Sequence, residues 1–183
     1  MYIYILIKML VKGSGVLLIQ KMHKSKVLVL FKNKNNMYME LGGGKEDNET
    51  IYNNALRESR EESYYSVNIN KKELIDAYKN NKYYDRIFNN SIYICFYYTI
   101  PEEDVLTQKE YLKNKNIFKN LKKNIEIPDY YFETTDISFF NIQSICKELK
   151  SNDNTEYLTN NENKKCKIRD RTMHIIKDYI SKL

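Results

Sequence analysis

The residues best suited to chemistry lie between positions 42 and 62, where three consecutive glycines precede charged side chains at regular spacing. The specified positions are Gly43, Glu49, Arg57, Glu58, Glu61 and Glu62. At 3.6 residues per helical turn, Glu58, Glu61 and Glu62 lie within an arc of roughly 100°. Three carboxylates on one helical face, beside a glycine loop, are the ligands needed to hold a hard divalent cation against a pyrophosphate.

This acidic helical face is costly unless a cation binds to it. Like charges three and four residues apart repel each other and weaken an isolated helix. Mg²⁺ removes that cost, because it prefers oxygen ligands and is usually held by a few carboxylates together with substrate phosphates. Arg57 lies four residues before Glu61 and eight after Glu49. We therefore expect Arg57 to orient one of these two carboxylates.

The glycine run Gly42–Gly44 is expected to bring the backbone close to a ligand, because glycine has no Cβ and accepts positive φ. Thr50 or Asn48 is the expected N-cap of the acidic helix. With about one chance in twenty at each of six positions, an accidental match has a probability below roughly one in ten thousand for such a chain. An exposed charged helix after a glycine turn is therefore the weaker interpretation.

These residues resemble the Nudix hydrolase signature, Gly-x5-Glu-x7-Arg-Glu-U-x-Glu-Glu-x-Gly-U, in which U is a bulky aliphatic residue. The resemblance implies a hydrolase dependent on Mg²⁺ or Mn²⁺ that cleaves the pyrophosphate of a nucleoside diphosphate linked to another group. It implies that a metal ion is bound by the side chains of Glu58, Glu61 and Glu62 and by the backbone carbonyl of Gly43. It also implies support of the loop and helix by Gly42, Gly44, Glu49 and Arg57.

Three positions depart from that signature. Ser59 and Tyr65 replace aliphatic residues, which affects packing of the helix and not its chemistry. Tyr64 replaces the glycine that normally ends the helix in a left-handed conformation, which costs a residue with a Cβ roughly 1 kcal/mol. Either the helix exits differently here, or Tyr64 is strained and Tyr64→Gly would stabilise the protein.

The general base is less closely specified than the metal ligands. One of the helix glutamates is a candidate, and the resemblance also allows a carboxylate from a distant loop. The loop candidates are Glu133, Asp136, Glu102 and Glu103, with Glu133 preferred. Its surrounding segment, 131–140, resembles the stretch before the penultimate helix in many family members.

The substrate is left open among several phosphorylated compounds. We favour a (deoxy)nucleoside triphosphate or a dinucleoside polyphosphate over capped RNA, because no separate RNA-binding domain is evident. Hydrolysis of an mRNA cap or an inositol pyrophosphate, and a non-catalytic nucleotide-binding module on the same fold, are the alternatives. The aromatic residues considered for stacking on a base are Tyr38, Phe96, Tyr98 and Phe132.

Composition adds only broad limits. The 183 residues carry a formal net charge of +6, which suits a polyanionic ligand. Heavy use of Asn, Lys, Ile and Tyr is what an AT-rich genome produces, so we discount the basic stretches as a sign of nucleic-acid binding. Cys95, Cys146 and Cys166 lack metal-type spacing and predict reduced thiols in a cytoplasmic protein. No segment reaches the length of a membrane span.

The pattern along the chain predicts an α/β fold, a Nudix-type α/β/α sandwich with a mixed central sheet in a single domain, 1–183. The expected strands are 1–11, 15–20, a hairpin of 26–31 and 37–41, 65–68, and a central strand at 91–100. An Asn/Lys-rich insert is expected near 102–128, with a short helix at 109–121. Residues 132–140 lead into a helix at 142–149. A linker near 151–165 precedes a closing helix at 168–183.

Overall fold

The computed structural model describes residues 11–88 and 91–183. The strands are β1 (Val11–Met22), β2 (Ser25–Asn33), β3 (Tyr38–Met39), β4 (Leu41–Gly44), β5 (Tyr83–Phe88), β6 (Ser91–Thr99), β7 (Thr134–Asn141), β8 (Tyr157–Thr159) and β9 (Lys165–Lys167). The α-helices are α1 (Ile51–Ser63), α2 (Lys71–Lys79), α3 (Gln108–Leu121), α4 (Ile142–Ser151) and α5 (Asp170–Ser181). The strand expected at 1–11 lies, except for its last residue, outside the described residues.

One mixed sheet organises these elements. Its seven strands follow the order β3-β2-β1-β6-β5, with β4 paired to β1 and β7 paired to β2. Strands β1 and β6 are parallel, whereas β1 and β2 form an antiparallel hairpin. The predicted central strand is therefore confirmed, since β6 lies between β1 and β5. The first half of β1 pairs with the glycine strand β4, which places Gly15 opposite Gly42.

Helices cover both faces of this sheet, because alternate residues of its strands point to opposite sides. Val16 and Leu18 of β1 belong to a buried cluster that includes residues of α1, α2 and α3. Leu17 and Ile19 belong to a second cluster with residues of α4 and α5. The predicted α/β/α sandwich is confirmed. Within the described ranges, no helix has the length and apolar character needed to cross a membrane.

Several segments differ from the sequence-based expectation, and one of them is the unpredicted strand β5. Residues 65–68 form a loop and not a strand, because Tyr65 has a φ of 57° that no strand accommodates. An unpredicted helix, α2, follows, and its N-cap Asn70 accepts a hydrogen bond from the Lys72 backbone. The helix expected at 109–121 within the 102–128 insert, by contrast, is confirmed as α3. The expected linker contains β8, which pairs with β9 through Leu158 and Cys166.

Helix α1 ends in a left-handed conformation at Tyr64, with φ 52° and ψ 43°. The Tyr64 side chain is fully buried, and its hydroxyl donates a hydrogen bond of 2.7 Å to the Thr134 carbonyl. Its ring packs against Tyr111, Phe118 and Phe132. The left-handed exit is therefore present, but the residue that makes it is also a core residue. For this reason we expect Tyr64→Gly to destabilise the protein and not to stabilise it.

Candidate active site

Helix α1 is fixed to the glycine strand by capping and by one buried amide. The side chain of the N-cap Thr50 accepts a hydrogen bond from the Asn53 backbone at 3.1 Å. Asn54 accepts a 2.7 Å bond from the Ser14 backbone and donates a 2.9 Å bond to the Gly44 carbonyl. These contacts hold the start of α1 against β1 and β4, and so fix the acidic face relative to the glycines.

Glu62 lies directly beneath the glycine strand. Its carboxylate accepts a 2.7 Å hydrogen bond from the Gly42 backbone, and only 2% of the residue is exposed. Glu58 lies against the next glycine, because a Cβ on Gly43 would come within 2.7 Å of both Glu58 carboxylate oxygens. The glycines therefore allow the acidic face of α1 to approach the backbone of β4.

Arg57 contacts three carboxylates of the charged cluster. It binds Glu49 through Nε and Nη2, each at 3.2 Å, and Nη2 also donates to the Gly44 carbonyl at 2.8 Å. Its Nη1 lies 2.9 Å from Glu58 and 3.1 Å from Glu61. Arg57 was expected to orient Glu49 or Glu61. It contacts both, and it brings the Glu58 and Glu61 carboxylates to one nitrogen.

The three helix carboxylates are electrostatically costly in the absence of a cation. Burial raises the pKa of Glu58 to about 7, against the opposing effect of Arg57. Burial likewise raises the pKa of Glu61. It raises the pKa of Glu62 well above its ordinary value, even though the Gly42 N–H opposes the shift. Positive charge placed among these groups would therefore be favourable.

The present side-chain positions do not complete a metal site. Among residues 11–88 and 91–183, no set of three or more carboxylate, imidazole or thiol groups is close enough to hold an ion. Glu58 and Glu61 are engaged by Arg57, and Glu62 by the Gly42 N–H. The donors nevertheless fit an oxygen-preferring divalent cation, because they are carboxylates, two of them buried and one partly buried, and two of them already converge at Arg57.

An open cleft of about 800 Å³ runs along this cluster. Glu58, Glu61 and Glu62 lie on it together with the glycines of β4. Basic side chains also line the cleft, and these are Lys12, Lys34, Arg57, Arg169 and Arg171. The cleft therefore combines a concentrated acidic face with cationic groups from other elements. Such a surface matches a ligand that carries phosphates together with divalent cations.

The structure places one of the four loop carboxylates considered for the general base at the cleft. Glu133 lines the cleft and is close enough to Glu58 to raise its pKa. Asp136 instead accepts hydrogen bonds from Gln108 and from its own neighbouring backbone. Glu102 pairs with Lys21 on the surface, and Glu103 is exposed in a short 3-10 helix. Glu133 is brought to the cleft and the other three are not.

The aromatic residues considered for base stacking lie elsewhere. Tyr38, Phe96 and Tyr98 are buried in the two cores, and Phe132 packs against Tyr64. Three of the four lie in strands β3 and β6, and an aromatic residue in a strand does not by itself tell whether it borders the cleft. Among the described residues that line the cleft, the aromatic ones are Tyr93 and Tyr130.

Sequence reasoning also missed a buried network behind the glycine strand. Glu40 is completely buried and accepts hydrogen bonds from Arg171 at 2.7 Å, from Tyr93 at 3.1 Å and from Thr172. The Arg171 guanidinium stacks over the Tyr93 ring at 3.8 Å and donates to the Gly42 carbonyl at 3.2 Å. Because Arg171 also lines the cleft, this network joins α5 to the site.

We compared the chain with known protein families, curated proteins and solved structures. No model of a known protein family matches the chain, and no curated protein matches it. The NUDIX domain of Shewanella oneidensis NrtR, in complex with ADP ribose, aligns with 94% of this chain and 87% of its own. The sequence identity is 9% and the TM-score is 0.51. The chain has a Nudix-type fold.

Two further similar structures come from Nudix proteins. The C. elegans Ap4A hydrolase in a binary complex is 13% identical, with 94% of this chain and 99% of that chain covered and a TM-score of 0.47. A mutT/nudix family protein from Listeria innocua is 15% identical, with 93% and 91% covered and a TM-score of 0.46. In this Nudix-type fold, Arg57 contacts Glu49, Glu58 and Glu61. Glu62 accepts a hydrogen bond from the Gly42 N–H, and Gly43 lies against the Glu58 carboxylate.

Proposed function

We propose that the protein hydrolyses a pyrophosphate linkage in a nucleoside diphosphate derivative, with Mg²⁺ or Mn²⁺ as cofactor. The observation that carries this proposal is the cleft, where buried carboxylates of one helix lie beside a glycine strand and basic side chains line the same space. A nucleotide pyrophosphate is the ligand that needs both kinds of group at once. Metal ions bind the acidic side, and the phosphates bind the metal and the basic side.

Glu58, Glu61 and Glu62 would hold the cation, with the Gly43 carbonyl as a further ligand. When bound, the cation would neutralise developing negative charge and lower the pKa of a bound water. The protein's own part begins with Arg57, which keeps Glu58 and Glu61 together at its Nη1 atom. Glu62 is kept in place by the Gly42 N–H. The burial that raises the pKa values of these groups is offset once the cation binds.

The remaining cleft residues would bind and orient the phosphates and move one proton. Arg171 is fixed by Glu40 and by the Gly42 carbonyl, so that little side-chain freedom is lost when it binds an anion. Lys12 and Arg169 add positive charge along the same cleft. Glu133, at the rim, would accept the proton of the attacking water.

The first test is the conversion of single carboxylates to amides. Glu61→Gln and Glu62→Gln keep side-chain shape and remove charge, so we expect turnover to fall by about a hundredfold or more with the fold retained. Glu110→Gln on the exposed face of α3 is the matched control and should leave turnover unchanged. Release of phosphate or nucleotide is measured at saturating Mg²⁺. Full activity in both cleft variants would refute the assignment.

The favoured substrate class is a (deoxy)nucleoside triphosphate or dinucleoside polyphosphate, with capped RNA and inositol pyrophosphates as alternatives. A side-by-side panel of these compounds and ADP-ribose, compared by kcat/KM, decides among them. A non-catalytic binding module is the other candidate, because the NrtR domain with this fold is described in complex with ADP ribose. Tight, Mg²⁺-dependent binding of one panel compound without turnover would establish that alternative.

A further inference from the structure

A second cavity, of about 480 Å³, lies next to the cleft. Five of the residues that line it are lysines, namely Lys34, Lys115, Lys119, Lys122 and Lys123. We call it the lysine cavity. The other lining residues are Tyr64, Phe132, Thr134 and Thr135, so that no Asp or Glu is found among its described lining residues.

The lysines converge because of their spacing on α3 and the turn after it. Lys115, Lys119 and Lys122 stand at i, i+4 and i+7, which is one face of a helix. Lys109 and Lys113 belong to the same helix but do not line the cavity. An AT-rich genome accounts for the number of lysines in this chain, but not for their placement around one cavity.

This arrangement is unfavourable in the absence of an anion. Like charges four residues apart repel each other, and burial, together with the charge of Lys119, lowers the pKa of Lys115. Lys115 is nearly buried and donates a hydrogen bond to the Thr135 carbonyl. On the outer side, Lys122 pairs with the exposed carboxylate of Asp129. The lysines thus concentrate positive charge that two carboxylates offset in part, namely Asp129, which pairs with Lys122, and Asp136, whose charge opposes the lowering of the Lys115 pKa.

The lysine cavity adjoins the proposed active site at Lys34. Lys34, in the turn between β2 and β3, lines both the cavity and the cleft. Tyr64, which lies two residues after Glu62, lines the cavity but not the cleft. A ligand held at the acidic face of α1 can therefore extend past Lys34 into the lysine cavity.

We propose that the lysine cavity binds phosphate groups of the substrate that lie beyond the pyrophosphate being cleaved. This inference rests on the proposed function for its description of the ligand as a substrate. The shared chemistry is a phosphate oxygen at a second position. Two sources supply it, namely the phosphodiesters of an oligonucleotide attached through its 5′ end and the distal phosphates of a small polyphosphate.

Binding is tested first, without catalysis, in the presence of EDTA. The probes are a 3′-fluorescein oligoribonucleotide of roughly ten nucleotides with a 5′ triphosphate, followed by anisotropy, and inorganic tripolyphosphate, followed by calorimetry. The variant is Lys119→Ala/Lys123→Ala, and the control with the same change of charge is Lys109→Ala/Lys113→Ala. For the oligonucleotide we expect the cavity variant to lose affinity by about tenfold at 0.1 M salt, with a salt slope smaller by about 1.4.

The two probes separate the two sources. If the cavity variant alone loses affinity, and only for the oligonucleotide, the additional phosphates belong to an attached chain. If it alone loses affinity, and only for tripolyphosphate, they belong to a small polyphosphate. Equal losses in the cavity and control variants would overturn the proposal, because the lysines would then act only through net charge. No loss in either variant would overturn it as well.

Kinetics with Mg²⁺ separate this inference from the proposed function. We expect the cavity variant to raise KM about tenfold for the substrate with the additional phosphates, and to leave kcat and the KM for a nucleoside diphosphate sugar unchanged. If the wild-type protein hydrolyses nothing while the binding difference persists, the proposed function fails and the phosphate site stands. If hydrolysis proceeds with equal KM in both variants, the phosphate site fails and the function stands.

Discussion

The residue that ends the acidic helix allows a quantitative test of how strain and burial combine. Tyr64 and Tyr65 both have left-handed backbones, with φ of 52° and 57°. Their side chains differ sharply, because Tyr64 is fully buried whereas 54% of Tyr65 is exposed. Substitution of each by glycine removes a similar backbone strain, but only the first substitution removes a core ring.

The expected magnitude follows from three contributions for Tyr64→Gly. Truncation of a buried aromatic ring costs about 3–5 kcal/mol, and loss of the hydroxyl bond to the Thr134 carbonyl adds about 1 kcal/mol. Relief of the left-handed strain returns about 1–2 kcal/mol. We therefore expect a net destabilisation of about 3 kcal/mol. For a chain of 183 residues, the thermal midpoint should fall by about 6–12 °C.

Tyr65→Gly serves as the matched variant. Its ring stacks on Phe118 at 5.7 Å, a contact worth about 1 kcal/mol, which relief of strain offsets. We expect its unfolding free energy to remain within about 1 kcal/mol of the wild type. Tyr64→Phe, which keeps the ring and the backbone but loses the hydroxyl, should cost about 1 kcal/mol.

Equilibrium unfolding in urea, followed by circular dichroism, measures all three variants. EDTA is included so that ion binding does not contribute to the unfolding free energy. A Tyr64→Gly variant as stable as the wild type would refute the reasoning, because strain would then outweigh the packing of a fully buried ring. Equal losses in Tyr64→Gly and Tyr65→Gly would also refute it, since the two sites differ in burial and not in backbone conformation.

Three further predictions concern the site. Gly43→Ala should fold normally but lose most activity, because its Cβ must displace the Glu58 carboxylate, 2.7 Å away; activity and thermal melts are compared. Arg171 and Thr172 lower the pKa of Glu40 against the effect of burial. Stability from this carboxylate is therefore present above its ordinary pKa of 4.5 and lost as the pH falls through the lowered value, and Glu40→Gln should show a shallower acid loss in urea melts across pH. Asn54→Ala should cost about 2 kcal/mol in the same melts, because it leaves buried partners unsatisfied.

The sequence was most informative where a spacing rule and a chemical rule coincide. Helix α1 was predicted from carboxylates whose separation suits one helical face, and the structure places it at Ile51–Ser63 with Thr50 as N-cap. The central strand β6 was predicted from apolar residues on both faces. In both cases the information is local, because a period of 3.6 or 2 is written in consecutive residues.

Contacts between residues far apart in the chain were not predictable from this one sequence. Glu40 and Arg171 are separated by 131 positions, and neither has a local pattern that marks it. A charged residue within the apolar run 37–41 was the available signal, since a buried carboxylate requires a partner. The choice among many lysines and arginines for that partner depends on how α5 packs on the sheet, which the periodicity does not specify.

The two proposed sites share one feature, which is a set of like charges on one face of a helix. The acidic face of α1 and the lysine face of α3 each place equal charges four residues apart, which destabilises a helix. Each face is only partly neutralised within the protein, by Arg57 in the first case and by Asp129 and Asp136 in the second. The two faces are opposite in sign and adjoin through Lys34. Cations at the first face and phosphates at the second would neutralise both. Binding of one extended substrate would therefore reduce the repulsion between like charges in both helices.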